Sequence, residues 1–214
     1  MQMRANETLK LGIGSETESQ RAKKILSSLS YVSVVKIENR MKDGGCLYGI
    51  KINKDDAAYA IKKLRENGSL TDHTLVIACD TVVVYGGFII GKPQDEAHAI
   101  LTLGMLSDSW HSVYSGLAVY YKERICCRAA RTDVKFRDIS EAEIKAYVDT
   151  GEPMGKAGSY AIQMKGGAFV ERIEGEFNNV VGLPVAELLS LLREEFWLSL
   201  LDVALYEAKG ENRC

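Results

Sequence analysis

The sequence lacks the long apolar run and the strong charge that would tie it to a membrane or to nucleic acid. No stretch of 18 consecutive apolar residues occurs in its 214 residues, so no transmembrane helix is expected. The N-terminal sequence MQMRANETLK lacks the apolar core of a signal peptide. The net charge is −2, so any anion-binding site must be local. We therefore expect a soluble, cytoplasmic protein that binds neither nucleic acid nor membrane.

Cysteine and histidine are too irregularly spaced to indicate a metal centre. The five cysteines form no CxxC pair, and two of them, Cys126 and Cys127, are adjacent. This pattern favours reduced thiols over a disulfide framework. The three histidines show no HExxH spacing, which disfavours a zinc site or a histidine-based triad. The sequence also has neither the GxGxxG fingerprint nor the GxxxxGK[ST] loop of common nucleotide-binding folds.

What is present is the ordinary composition of a globular protein, with 46% hydrophobic and 26% charged residues. One domain over residues 1–214 is expected, with a core at about 9–195 and an extension at about 196–214. Apolar periodicity predicts strands near residues 9–14, 31–37, 75–78, 82–85, 88–90, 113–121, 125–136 and 169–173. It predicts helices near 20–29, 53–67, 95–106, 140–149 and from 184 onward. Hairpins beside βα units predict an α/β or α+β fold.

The stretch TLVIACDTVVVYGGFIIGKP, residues 74–93, is the most informative in the chain. The apolar run at residues 75–78 predicts a strand, and Asp80 lies at the end of that strand. A second run turns at two glycines and returns to Lys92, as in a β-hairpin. If both side chains face one cleft, Asp80 suits a metal ion or a water and Lys92 suits phosphate oxygens. The alternative interpretation is a surface hairpin with ordinary charged residues at its ends.

Other candidates for phosphate or base contacts follow predicted strands or glycines. Ser19 and Arg21 lie between the first strand and the first helix, where an anion would find backbone N–H groups. Hydroxyl residues at this place also serve as ordinary helix N-caps. Lys156 is flanked by glycines that allow a ligand close to the backbone, although such loops are also plain turns. Gln163 could bind the edge of a base, or be an exposed glutamine without function.

Taken in order, these segments resemble the Maf family. The first group of matching segments is Cys79–Val83, Gly91–Pro93, Leu106-Ser107, His111–Val113 and Ser115-Gly116. The second group is Val134–Phe136, Ile144, Tyr147-Val148, Gly151–Pro153, Lys156–Gly158, Ile162-Gln163 and Asn179–Pro184. The resemblance runs from about Leu11 to Leu192, which is nearly the whole chain.

The resemblance implies a nucleoside triphosphate pyrophosphatase that splits the α–β phosphoanhydride and uses Mg²⁺ or Mn²⁺. It implies an α/β fold with a mixed sheet, flanking helices and two lobes around a nucleotide cleft, related to inosine triphosphate pyrophosphatases. Asp80 matches the family's catalytic proton acceptor, and the resemblance implies that it is also a ligand for the metal ion. Arg21, Thr81 and Gln163 match the three positions that separate subgroups, and these residues mark the dTTP/UTP type. The 7-methyl-GTP type has tryptophan, glutamine and glutamate there. Ser19, Lys92 and Lys156 complete the expected substrate site.

The sequence departs from the family pattern at several places around this site. The family's Ser-Pro-Arg-Arg motif is replaced here by Ser19-Gln20-Arg21-Ala22. The family's acidic Asp-Glu signature is not recognisable, and Glu38 and Asp43 are the candidates to replace it. Gly155 replaces the aspartate before Lys156, and Asp56-Ala57 stands where the family has Lys-Ala.

Three hypotheses follow from these residues. The first is an active dTTP/UTP pyrophosphatase, with modified pyrimidine triphosphates as further substrates. The second, motivated by Gly155 and Asp56, is a nucleotide-binding protein with weak turnover that acts through partners in cell division or arrest. The third keeps the enzyme but moves its preference to purine triphosphates. The leucine-rich C-terminal segment also offers a surface for a second subunit, so a homodimer is one assembly that it would support.

Overall fold

The structure of the chain, a computed structural model, describes residues 9–13, 32–36, 54–68, 70 and 75–199. The strands in these ranges are β1 Leu9–Ile13, β2 Val32–Lys36, β3 Val76–Tyr85, β4 Phe88–Ile90, β5 Trp110–Tyr121, β6 Arg124–Phe136 and β7 Val170–Glu174. The α-helices are α1 Lys54–Glu66, α2 Glu96–Leu106, α3 Glu141–Val148, α4 Phe177–Val181 and α5 Val185–Phe196. Two short 3₁₀ helices, Ala157–Ser159 and Lys165–Phe169, lie between α3 and β7.

Five strands form one antiparallel sheet in the order β4-β3-β5-β6-β7. β5 and β6 form its long central hairpin, with Trp110 paired to Lys135 at one end and Tyr121 paired to Arg124 at the other. β1 and β2 form a separate parallel pair, and β1 lies beside β3. With helices packed against the sheet, this is the α/β fold that the sequence predicts.

β3 differs from its prediction in one respect that matters for the site. The two apolar runs form a single ten-residue strand, so Asp80 lies in the middle of β3 and not at a strand end. The antiparallel ladder continues through the polar pair because Asp80 and Thr81 are matched by Gly116 and Ser115 of β5. The predicted hairpin is confirmed: Gly86 and Gly87 have φ of 57° and 85°, as a tight primed turn requires.

Apolar side chains of the sheet alternate between two faces. On one face, Ile77 and Leu117 pack against α5, and farther along β3 Val83 shares a cluster with residues of α2 and α3. On the other face, Val76 packs with Ile61 of α1. Helices therefore pack against both faces of β3.

Most other predicted elements are confirmed. Ser140 and Glu143 form the predicted capping box of α3, each accepting a backbone N–H of the other. The glycine-rich stretch 151–167 consists mainly of turns and 3₁₀-helical residues, and three of its glycines, Gly151, Gly155 and Gly158, take left-handed φ values that would interrupt a strand. α4 was not predicted from the sequence. The predicted helix at 20–29 lies outside the described residues.

Candidate active site

A pocket lies on the face of the sheet that α2 covers. β3 and β5 form its floor, and the loop after α3 and the end of α4 form its walls. Its lining residues are Thr81, Val83, Lys92, Val113, Gly155, Lys156, Ala157, Tyr160, Val180, Val181 and Gly182. Its lining combines apolar side chains with polar and charged groups, a mixture that is found in small-molecule sites.

The hydroxyl of Thr81 is held in the floor of this pocket. Its Oγ1 lies 2.7 Å from Oγ of Ser115, its cross-strand neighbour, and donates to the carbonyl oxygen of Gly182 at 3.5 Å. Ser115 is fully buried. Thr81 therefore presents a fixed polar group to the pocket, as a residue that selects a base would need to do.

Asn179 attaches the short helix α4 to the sheet beneath the pocket. Its Nδ2 donates to the carbonyl oxygen of Val113 at 3.1 Å and to Oγ1 of Thr132 at 3.1 Å. Asn179 is fully buried, and its Oδ1 has no hydrogen-bond partner among the described residues. These contacts place the carbonyl of Gly182, at the end of α4, next to Thr81.

Two lysines, Lys92 and Lys156, line the pocket, and the loops that carry them are joined by a backbone hydrogen bond. The backbone N–H of Gly158, two residues after Lys156, donates to the carbonyl oxygen of Gly91, the residue before Lys92, at 3.2 Å. Gly158 has a φ of 69°, and a Cβ there would lie 2.9 Å from Cγ2 of Val83. Only glycine therefore allows the two loops to meet on the sheet. The pair of positive charges suits a polyphosphate.

Asp80 does not line this pocket. Its side chain is half-buried, and Oδ1 accepts the backbone N–H of Thr81 at 2.9 Å. Because side chains alternate along a strand, Asp80 projects to the face of Ala78, whereas Thr81 projects into the pocket. The structure thus places Lys92, Lys156 and Thr81 together and Asp80 beside them, so the catalytic role of Asp80 stays a prediction.

Gln163 lies in the turn between the two 3₁₀ helices, with an exposed side chain that is not among the pocket's lining residues. Its role in base selection also stays a prediction. Ser19 and Arg21 lie outside the described residues, as do the two candidate acidic residues, Glu38 and Asp43.

The buried side chain of His111 contacts the hydroxyl of Tyr160, a residue that lines the pocket. Nε2 of His111 lies 2.9 Å from the hydroxyl of Tyr160, and both rings pack edge-on against Phe136 with centroids 4.8 Å away. Burial lowers the pKa of His111 from 6.5 to about 4, although the negative charge of Asp133 opposes this shift. Burial also raises the pKa of the Tyr160 hydroxyl. Both groups are therefore neutral at pH 7.

Comparisons with known proteins identify the family of this chain. The family model described as "Maf-like protein" matches residues 13–195. This chain belongs to the Maf-like family. Among curated Maf-like relatives, the Clostridium novyi protein named dTTP/UTP pyrophosphatase is 38% identical, over 85% of this chain and 94% of its own length.

Two other relatives with the same name support the assignment to the Maf-like family. The Aquifex aeolicus protein is 42% identical over 82% of this chain and 91% of its own length. The Dictyoglomus turgidum protein is 49% identical over 66% of this chain and 74% of its own length. A solved structure of a nucleoside-triphosphatase (dITP/XTP pyrophosphatase) from Mycobacterium abscessus is 18% identical. It covers 61% of this chain and 76% of its own length with a TM-score of 0.34, which is too low to support a conclusion.

The described part of this Maf-like chain has no group of three or more His, Cys, Asp or Glu side chains arranged to hold a metal ion. A magnesium ion that arrives with a nucleotide needs fewer protein ligands, since phosphate oxygens and waters supply the others. Asp80, a half-buried carboxylate adjacent to Thr81, fits this smaller donor set.

Sequence reasoning missed the structural roles of Ser115, Asn179 and Tyr160. Ser115 and Asn179 lie within segments that match the Maf-like pattern, and a signal for them was therefore available. Their hydrogen bonds join residues 34 to 66 positions apart. No local pattern in the sequence indicates such contacts.

Proposed function

We propose that this chain hydrolyses dTTP and UTP, and modified pyrimidine triphosphates of similar shape, to the monophosphate and pyrophosphate. The observation that carries this proposal is the pocket in which Thr81, Lys92 and Lys156 meet. It combines the side chains of Val83 and Val113 and the hydroxyl of Thr81, for a base, with two positive charges for a polyphosphate. Relatives that match most of this chain bear the name dTTP/UTP pyrophosphatase, which supports the same substrate.

The reaction needs a water molecule to attack the α-phosphorus. The bond between this phosphorus and the bridging oxygen breaks, and pyrophosphate leaves with the electron pair. Lys92 and Lys156 would neutralise charge on the phosphates as it moves toward the leaving group. Asp80 would accept the proton of the attacking water. A divalent metal ion, held by Asp80 and the phosphates, would supply further charge neutralisation when bound.

Base selection would rest on three residues, of which two lie in the described ranges. Thr81 presents its hydroxyl in the floor of the pocket. Gln163 carries an amide that can donate to and accept from the edge of a pyrimidine. Arg21 is the third residue of the dTTP/UTP pattern.

The test is a panel of pyrimidine and purine triphosphates with Mg²⁺ or Mn²⁺, with pyrophosphate release as the readout. Wild-type protein should prefer dTTP and UTP, and Asp80→Asn should lower kcat by about a hundredfold or more, as loss of a general base does. Asp133→Asn is a matched control. It removes another partly buried strand carboxylate, one that is paired with Ser112 and Arg131. Equal background rates for wild type and Asp80→Asn would contradict the proposal.

The same panel separates the alternatives. A preference for purines would favour the third hypothesis, and tight binding without turnover would favour the second. The second is not favoured, because the curated relatives bear the names of enzymes.

Location and assembly remain part of this proposal. No helix in the described ranges combines the length and the hydropathy of a membrane-spanning segment. A cytoplasmic location and a homodimer are further proposals, which fractionation and the mass measured in solution would test.

A further inference from the structure

Glu152, in the turn after α3, holds the loop that carries Gln163. Its Oε1 accepts the backbone N–H of Gly166 at 3.0 Å, and its Oε2 accepts the backbone N–H of Lys165 at 3.3 Å. An ionised carboxylate is a strong acceptor of such bonds. One side chain therefore binds two successive amides directly after the turn that contains Gln163.

Tyr147 holds the other end of the same loop. Its hydroxyl donates to Oε1 of Glu152 at 2.9 Å and accepts the backbone N–H of Ala161 at 3.3 Å. Burial and the bond to Glu152 raise the pKa of this hydroxyl, so it keeps the proton that it donates. The two side chains together bind the backbone on both sides of Gln163.

Close packing leaves this loop little freedom. A Cβ at Gly166 would lie 2.8 Å from the Tyr147 hydroxyl and 2.9 Å from the amide nitrogen of Ala161. Met164 closes the turn by donating its backbone N–H to the carbonyl oxygen of Ala161 at 3.0 Å.

Within this fixed loop, the side chain of Gln163 is exposed and forms no hydrogen bond with another described residue. Its amide group is therefore available for a ligand, while the backbone that carries it is held in place.

We propose that Glu152 is a positioning residue that acts through the loop at Gln163 and thereby sets the preference for pyrimidine over purine triphosphates. This inference rests on the proposed function and extends it to a residue that does not line the pocket. Holding Gln163 before the nucleotide arrives removes part of the ordering cost of binding. That gain applies only to a base that Gln163 can recognise, so the loss of Glu152 should change selectivity more than it changes overall turnover.

The first experiment compares Glu152→Gln with a matched control. The substitution keeps the shape of the side chain but places an amide NH₂ against backbone N–H donors, so part of the network is lost. Glu143→Gln is the control, because Glu143 also accepts bonds from the Ser140 backbone, the Ser140 hydroxyl and Arg137, all outside the loop. We expect Glu152→Gln to lower the ratio of kcat/KM for dTTP to that for dGTP by about tenfold, the effect of losing about one hydrogen bond. Glu143→Gln should leave the ratio unchanged.

A double-mutant cycle shows whether Glu152 acts through Gln163. Gln163→Ala should itself lower the dTTP-to-dGTP ratio. Adding Glu152→Gln in that background should lower it by less than about twofold more, because coupled residues do not act additively. An unchanged ratio in Glu152→Gln would overturn the inference. So would the same loss in both backgrounds, or an equal loss of activity on every nucleotide, since each indicates a merely structural role.

Failure of the proposed function gives a different result. Wild-type protein that hydrolyses no nucleotide contradicts the function, and the loop is then assessed by hydrogen–deuterium exchange. The amides of Lys165 and Gly166 should exchange about tenfold faster in Glu152→Gln than in Glu143→Gln, because local opening loses these bonds. Equal exchange rates in the two variants overturn the inference whether or not the enzyme is active.

Discussion

The two halves of β3 face different surroundings although they belong to one continuous strand. In the first half, Val76, Ile77 and Cys79 are almost fully buried between α1 and α5. In the second half, Asp80 and Thr81 are half-buried and polar. The first half is an ordinary core strand, and the second half carries the candidate site.

This difference shows how a half-buried polar group is held in a fixed position. Both halves pair with β5 in the same unbroken register. The buried half therefore fixes the position of the backbone of Asp80 and Thr81. The polar half then needs only a few hydrogen bonds to orient its side chains. Substitutions in the first half should therefore change stability, and substitutions in the second half should change selectivity.

The largest effect on stability is expected from Ile77→Ala. Ile77 is fully buried in the cluster beneath α5, and truncation of such a residue costs about 3 kcal/mol. Urea denaturation should show this loss. Ile89→Ala is the control, since Ile89 on β4 is 45% exposed and its loss should cost less than about 0.5 kcal/mol. The dTTP-to-dGTP ratio should stay the same in both variants, and a changed ratio in Ile77→Ala would contradict the division between the halves.

A loss of stability of similar size is expected on acidification, and it arises from His111 on the pocket side of the sheet. The native state holds His111 with a pKa of about 4, whereas the unfolded chain binds this proton with a pKa near 6.5. The unfolded state therefore binds more protons between these values. The contribution of His111 is fully present above pH 6.5 and is lost as the pH falls to about 4, for a total of about 3 kcal/mol.

The measurement is the free energy of unfolding of wild type and His111→Phe at intervals from pH 7.5 to 4. The free energy of unfolding of the wild type minus that of His111→Phe should decrease as the pH falls from 6.5 to 4. His98→Gln, at an exposed position, is the control and should follow the wild type. Parallel curves for wild type and His111→Phe would show that His111 does not stay neutral in the folded state.

Much of the fold was predictable because its determinants are local. The turn at Gly86-Gly87 and the capping box at Ser140 are short patterns whose geometry follows from a few neighbouring residues. The single strand β3 was not, because the polar pair inside it is accommodated only by its partners on β5. α4 also escaped prediction, since it is five residues long and is held by tertiary hydrogen bonds of Asn179.

The candidate site was predictable as a set of residues but not as an arrangement. Thr81, Lys92 and Lys156 were expected as substrate-binding residues, and they line one pocket. The convergence of Asp80 with Lys92 stays a prediction, because Asp80 lies inside a strand, alternates with Thr81 and is not among the residues that line the pocket. The bond between His111 and Tyr160 joins residues 49 positions apart, which no spacing rule predicts.

A smaller effect is expected when one charge at the edge of the pocket is removed. Lys156→Met or Lys92→Met should each lower kcat/KM for dTTP by about tenfold, through kcat as well as KM, because each removes one charge from a partly solvated phosphate site. The dTTP-to-dGTP ratio should not change, since the triphosphate is common to both nucleotides. Lys145→Met, in the last turn of α3, is the control. An altered ratio in either variant would place that lysine against the base.

The smallest effect is expected from Thr81→Val, which keeps the size of the side chain and removes its hydroxyl. The variant loses the 2.7 Å contact with Ser115 and the 3.5 Å bond to Gly182, at a cost of about 1 kcal/mol in stability. The dTTP-to-dGTP ratio of kcat/KM should fall about fivefold, because a fixed polar group in the pocket is lost. Thr81→Ser keeps the hydroxyl on the same strand position and should retain most of the ratio. If Thr81→Ser lowers the ratio and Thr81→Val leaves it unchanged, the methyl group of Thr81 is the part that selects the base, and the polar half of β3 contributes shape instead of hydrogen bonds.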